Sequence, residues 1–158
     1  MKVIGIVPAR MAASRFPGKP LFPILDQPMI EHVFCRAQMY QGWDELVLAT
    51  CDQEISEFAD SKNFPVIMTG KHHTRALDRV AEAAIKLENP IKNDDIVVCV
   101  QGDEPMMAPD MMEAVIAPLK DNPSIPCTVL AMHITEEGIW TNPDTVKIIH
   151  NDQGEVLY

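Results

Sequence analysis

The sequence predicts an open α/β fold, three layers deep, built on a mostly parallel sheet. Three observations carry this. Short apolar runs alternate with stretches of helical period along the chain. One of them, Ile96 to Gln101 (IVVCVQ), reads as a continuous apolar run, as suits a parallel strand covered on both faces. The 158 residues, 47% hydrophobic and 23% charged, have the composition of one compact globular domain, which excludes disorder, collagen and a coiled-coil rod.

Each element follows from its local pattern. Val3 to Val7 (VIGIV) is the first strand, and a long polar loop over 8–20 follows it. After the run 21–25 and the turn Asp26-Gln27-Pro28, residues Met29, Ile30, Val33, Phe34 and Ala37 repeat at helical spacing. That predicts a helix over 28–40, with Pro28 in its first turn and Gly42 beyond its end. Leu46 to Thr50 is the second strand, and Asp52 is placed to cap a helix over 53–62. Val66 to Thr69 is the third strand, 70–74 a loop, and 75–88 a helix with Val80, Ala81 and Ala84 on its apolar face. The buried strand 96–101 leads into a Gly-Asp-Glu-Pro loop and a helix over 109–120. Pro126 to Ile134 is expected to form another strand, with Glu136 and Glu137 in a solvated turn. Residues 146–150 and 155–158 predict a hairpin around Asn-Asp-Gln-Gly. The chain stops within that strand-like run, so 1–158 is expected to be an incomplete domain.

Charge is unevenly distributed. Thirteen cations against 23 carboxylates give a net charge of −10, which argues against nucleic acid and anionic membrane surfaces as partners. Residues 1–25 nevertheless hold Lys2, Arg10, Arg15 and Lys19 and no acid, which marks an anion site. No apolar run approaches the ~20 residues of a membrane helix. Cys35, Cys51, Cys99 and Cys127 form no C-x-x-C pair, which fits a reduced, cytoplasmic setting without a zinc site.

Sheets of this kind bind ligands at the carboxyl ends of their strands. Two polar loops stand there. In 8–20, Arg10, Arg15 and Lys19 lie beside small residues and Gly18, a combination of cations and accessible backbone that can cradle a polyphosphate. The loop has neither the P-loop spacing nor a dinucleotide fingerprint, and its residues alone leave a solvated basic loop open. In Gln101-Gly102-Asp103-Glu104-Pro105, Asp103 could hold Mg²⁺ jointly with phosphate oxygens, or Gly102 and Asp103 could serve only a turn.

Together these loops, PARMAASRFPGKPL and VQGDEPM, resemble the 3-deoxy-manno-octulosonate cytidylyltransferase (CMP-Kdo synthetase) family. Similarity extends through PMIEHVFCRA, LVLATCDQEI, MTGKHH with DRVAEA, and NPDTVKIIHNDQGEVLY. The resemblance implies a Rossmann-like nucleotidyltransferase fold and transfer of CMP from CTP to an acidic 2-keto sugar, with Mg²⁺ as cofactor. It also implies a cytoplasmic enzyme of lipopolysaccharide biosynthesis, homodimeric at full length, of which this chain is the N-terminal part. Position by position, it implies that Pro8, Ala9, Arg10, Arg79 and Gln101 contact nucleotide, that Arg15 and Lys19 hold phosphates, and that Asp103 binds the metal. Lys19, Arg15 and Arg10 would then carry catalysis by charge and positioning.

One departure stands out. The family reads Ser-Gly-Thr-Glu-Arg where this chain has Arg75-Ala76-Leu77-Asp78-Arg79. An acylneuraminate or another sugar as acceptor, a nucleotide-binding fragment without turnover, and a ligand-free structural domain are the competing expectations. The adjacent His72 and His73 cannot easily share a metal. His32, His133 and His150 read as structural, Cys51 lacks a base, and Met106, Met107, Met111 and Met112 read as packing.

Overall fold

The computed structural model describes residues 1–12 and 16–158, which divide into two compact units, Met1–Thr128 and Val129–Tyr158. The first unit holds strands β1 (Val3–Ala9), β2 (Pro23–Ile24), β3 (Gln27–Pro28), β4 (Glu45–Thr50), β5 (Val66–Met68) and β6 (Ile96–Cys99). Its helices are α1 (Met29–Gln38), α2 (Gln53–Ser61), α3 (Ala76–Ile85) and α4 (Pro109–Asp121), with a 3₁₀ turn at Lys19–Leu21. Four strands form one parallel sheet in the order β5-β4-β1-β6.

The central strand β1 is paired along both edges, from Ile4↔Glu45 to Ala9↔Thr50 and from Val3↔Ile96 to Ile6↔Cys99. All seven of its residues are buried, and alternation sends them to two different cores. Val3, Val7 and Ala9 meet Ile30, Val33, Phe34 and Ala37 of α1, Ile55 and Ala59 of α2, and Met112 and Ile116 of α4. Ile4 and Ile6 meet Val80, Ala83 and Ala84 of α3 on the other face. This is the three-layer sandwich that the strand–helix rhythm implies.

Several boundaries move, and each shift has a local cause. The run 21–28 folds back as an antiparallel hairpin, β2 against β3, through Leu25 (φ 49°) and Asp26 (φ 66°). Two successive residues at positive φ match the twist of a tight hairpin, and no glycine advertised it. His32 Nε2 is 2.7 Å from the Ile24 carbonyl and ties this hairpin to α1. Asp52 does stand at the N-cap of α2, but its side chain makes no cap bond. Its Oδ2 instead accepts the backbone N–H of Met11 at 2.7 Å, which fixes the root of the loop after β1.

The strand expected over 126–134 does not form: no ladder partner for it occurs among the described residues. β-propensity becomes a strand only where a neighbour supplies the hydrogen bonds. In the second unit, Glu136 stands at the N-cap position without a side-chain cap bond and Glu137 begins a short helix, α5 (Glu137–Thr141), in place of the solvated turn. The hairpin at the end is present as an antiparallel bridge between His150 and Val156, closed by Gly154 at φ 81°. No described helix is long and apolar enough to cross a membrane.

Candidate active site

Three loops at the carboxyl edge of the sheet enclose a cavity of about 570 Å³ within the first unit. Pro8, Ala9, Arg10, Phe16 and Lys19 come from the end of β1 and its loop; Gln101, Gly102 and Asp103 follow β6. His73, Thr74, Arg75, Ala76 and Arg79 come from the loop after β5 and the start of α3. Of the residues expected to act, Pro8, Ala9, Arg10, Lys19, Arg79, Gln101 and Asp103 share this one cavity. Arg15 lies outside the described residues.

The first loop is shaped by its own backbone. Past the Asp52 anchor, the N–H of Gly18 returns to the Met11 carbonyl at 2.9 Å. Gly18 sits at φ 75°, a left-handed position that glycine occupies without a Cβ clash, and Lys19 follows directly. The Lys19 Nζ then reaches Asp103 Oδ2 at 2.9 Å. Both side chains are substantially exposed, so the pair is held lightly and can be exchanged for a ligand.

Asp103 is delivered by a turn. The Glu104 N–H donates to the Gln101 carbonyl at 3.2 Å, with Gly102 and Asp103 between them. The turn reading and the cavity-facing reading of this loop are therefore compatible. Gly102 is buried against β1: a Cβ there would lie 2.1 Å from the Pro8 carbonyl oxygen. That close approach brings Asp103 alongside the Arg10–Lys19 loop. Burial, with the Asp103 charge as the smaller cause, pushes the Cys99 thiol up to about 11, which disfavours the nucleophilic thiolate.

The third loop is pinned by two arginines and a carboxylate. Arg10 Nη1 donates to the His73 carbonyl at 3.4 Å. Arg79, 2% exposed, donates from Nη1 to Thr69 Oγ1 and to the Gly70 carbonyl, and Thr69 Oγ1 in turn donates to the Thr50 carbonyl at 3.1 Å. Its Nη2 is buried with no partner among the described residues. Glu82 gathers the Gly70 N–H at 3.0 Å, the Lys86 ammonium at 2.6 Å and His73 Nε2. Those bonds, Lys86 foremost, hold its carboxyl down at about 2.

One expectation needs correcting here. The ligand atoms of His72, His73 and Glu82 lie within 4.8 Å of one another, so adjacency does not keep the two histidines apart. With Lys86 and the Gly70 N–H already on the carboxylate, the group is an ion-pair hub that fixes the loop. Thr74 and Phe16 also line the cavity and are not singled out from sequence, and His73, weighed there only as a metal ligand, lines it too. The position of the His-His loop after the third strand, at the ligand-binding edge, was the available signal.

Among the described residues, four cations (Arg10, Lys19, Arg75, Arg79) and one carboxylate (Asp103) line the cavity of a chain whose net charge is −10. The cytidylyltransferase family profile matches residues 4–158, which includes every loop of this cavity. The chain belongs to the cytidylyltransferase family. Within that family it is 44% identical over 154 residues to the 3-deoxy-manno-octulosonate cytidylyltransferase of Nitratidesulfovibrio vulgaris strain Hildenborough, covering 98% of this chain and 60% of that protein. It is 38% identical to the same-named protein of Syntrophus aciditrophicus, covering 99% and 62%. A solved structure of CMP:2-keto-3-deoxy-manno-octonic acid synthetase complexed with CTP superposes with a TM-score of 0.89 at 34% identity, over 100% of this chain and 63% of that one. The chain thus spans about three fifths of the length of the curated relatives it matches.

Proposed function

We propose that this chain carries the nucleotide-binding part of a cytidylyltransferase that transfers CMP from CTP to the acidic sugar 3-deoxy-manno-octulosonate, with release of pyrophosphate, in lipopolysaccharide biosynthesis. The observation that carries this is the cavity itself: Arg10, Lys19 and Arg79 line it together with Asp103 at the carboxyl edge of a parallel sheet, in a chain 34–44% identical to proteins named for that reaction. Pro8, Ala9 and Gln101 line the same space and are the proposed nucleotide contacts. Arg15 belongs to the proposed set from sequence alone. A homodimer and a cytoplasmic location belong to the same reading.

In the reaction, the anomeric hydroxyl of the sugar loses its proton and bonds to the α-phosphorus while the bond to the pyrophosphate oxygen breaks. No covalent enzyme intermediate is needed. Lys19 and Arg10 hold phosphate oxygens and neutralise charge that grows on the leaving group, a preorganised contribution that costs no reorganisation during reaction. Asp103 fits a divalent cation: its carboxylate already receives an ammonium at the cavity rim, and Mg²⁺ commonly takes one or two carboxylates with substrate phosphates. Mg²⁺ held there would neutralise phosphate charge. Lys19, exchanged from Asp103, would be free to contact the phosphates.

The test is pyrophosphate release by the full-length protein, with CTP, Mg²⁺ and a panel of acidic 2-keto sugars. Turnover with 3-deoxy-manno-octulosonate is expected, and Lys19→Ala should lower it by roughly 10² with the fold intact, as for loss of one strong transition-state charge contact. Asp103→Asn should abolish Mg²⁺-dependent turnover while leaving much of the metal-free nucleotide binding. Normal Mg²⁺-dependent turnover in Asp103→Asn would remove that residue from the metal site.

A further inference from the structure

The start of α3 carries two cations that the mechanism above does not explain. Arg79 is buried and lines the cavity, and its Nη2 has no partner among the described residues. A buried guanidinium edge without an acceptor is costly to leave, so it calls for a partner, whether water, an ion or a ligand. Arg75 lines the same cavity from the N-cap position of α3, exposed, without a salt bridge to any described residue. Its extended backbone (φ −106°, ψ 146°) starts a ten-residue helix whose first N–H groups have no intrahelical acceptor, and no side chain caps them. Ala76, the next residue, also lines the cavity and is too small to screen them.

The charged side chains at this corner, Arg75 and Arg79, are both cations. Two guanidinium groups and the end of a helix converge there, the one carboxylate of the cavity is engaged by Lys19, and His73 is engaged by Glu82. A hydroxyl or an amine would need an acceptor as well as a donor; an oxyanion needs donors alone. We infer that Arg75, with the Nη2 edge of Arg79 and the first turn of α3, forms a second oxyanion subsite in the cavity, distinct from the Lys19–Asp103 pair. It takes either a phosphate oxygen of the nucleotide or the carboxylate of the acidic acceptor. Arg75 is the specificity-determining member, since it supplies a positive charge where the resembling pattern has a serine. The identity of the anion rests on the cytidylyltransferase reading; the subsite does not.

The experiment is calorimetric binding to the intact protein, with CTP and Mg²⁺, with inorganic pyrophosphate, and with 3-deoxy-manno-octulosonate as separate probes. Arg75→Ser should weaken at least one probe about tenfold, the range of a charge-assisted hydrogen bond at a partly exposed site. Arg75→Lys, which keeps the charge and loses the fork, should recover only part of that. Leu77→Ala, an exposed neighbour outside the cavity, is the control for local damage to the helix start. Loss with CTP and pyrophosphate assigns the subsite to phosphate, and loss with the sugar alone assigns it to the carboxylate. Unchanged affinity of Arg75→Ser for all three probes overturns the subsite. Arg75-dependent pyrophosphate binding in a protein that does not bind CTP keeps the subsite and overturns the cytidylyltransferase reading.

Discussion

Replacing Gly102 by alanine should damage the site more than the fold. The new Cβ would sit 2.1 Å from the Pro8 carbonyl oxygen and 3.2 Å from its carbon. Real Cβ contacts essentially never fall below 3.0 Å, and the obstacle is backbone, so no rotamer relieves it. The end of β1 and the 101–104 turn must therefore separate by about 0.9 Å. Overpacking of this sort costs roughly 1–3 kcal/mol, which a domain of this size can survive. Function should suffer more, because Arg10 and Lys19 stand on one side of that gap and Asp103 on the other. A misplacement of ~1 Å between groups that must converge can cost about 10² in rate. Thermal melting with pyrophosphate release under saturating CTP would separate the two effects. Gly138→Ala is the control, since nothing lies within 4 Å of its added methyl group. A Gly102→Ala protein with wild-type melting and wild-type turnover would refute the close approach as the device that sets the site.

Other outcomes follow from single features. The Glu82 carboxyl titrates at about 2 against an ordinary 4.5, so its contribution is present above about pH 4.5 and fades as pH falls toward 2. Glu82→Gln should flatten that part of the acid limb in melting temperatures taken from pH 5 to 2, and an unchanged slope would deny the hub its role. Leu25 is 90% exposed and held at φ 49°, so Leu25→Asn should stabilise by about 0.5–1 kcal/mol in chemical denaturation. A destabilised variant would mean that Leu25 contributes packing which its exposure conceals.

The sequence made the sheet legible where burial and pattern agree. Ile4 and Ile6 against Val3 and Val7 already encode two cores, and Ile96 to Val100 reads as covered on both sides. The segment 126–134 has the same local chemistry and forms no strand, because a ladder depends on a partner that no local pattern specifies. Arg10, Lys19 and Asp103 could be placed at one cavity because each lies in a loop at a strand's carboxyl end. The supports of those loops could not. Asp52 looked like a helix cap and serves Met11, 41 positions away, and His73 finds Glu82 across a loop and a helix turn. Such pairings are consequences of the fold rather than of spacing.

The placement of β1 at the centre of the sheet has a bearing on how the protein is made. Val3 is polymerised about ninety residues before its partner Ile96, at 5–20 residues per second some 5–20 s earlier. During that interval an apolar heptapeptide waits with at least one edge unpaired, the condition under which strands join the wrong neighbour. Two of its seven residues, Gly5 and Pro8, are poor strand formers, and Pro8 lacks one ladder donor. In the finished sheet Gly5 also admits Leu46 and Trp43, whose atoms would crowd a Cβ at 2.7 and 3.1 Å. The residues that let β1 fit its neighbours are thus also those that make it a weak template for other chains while synthesis continues.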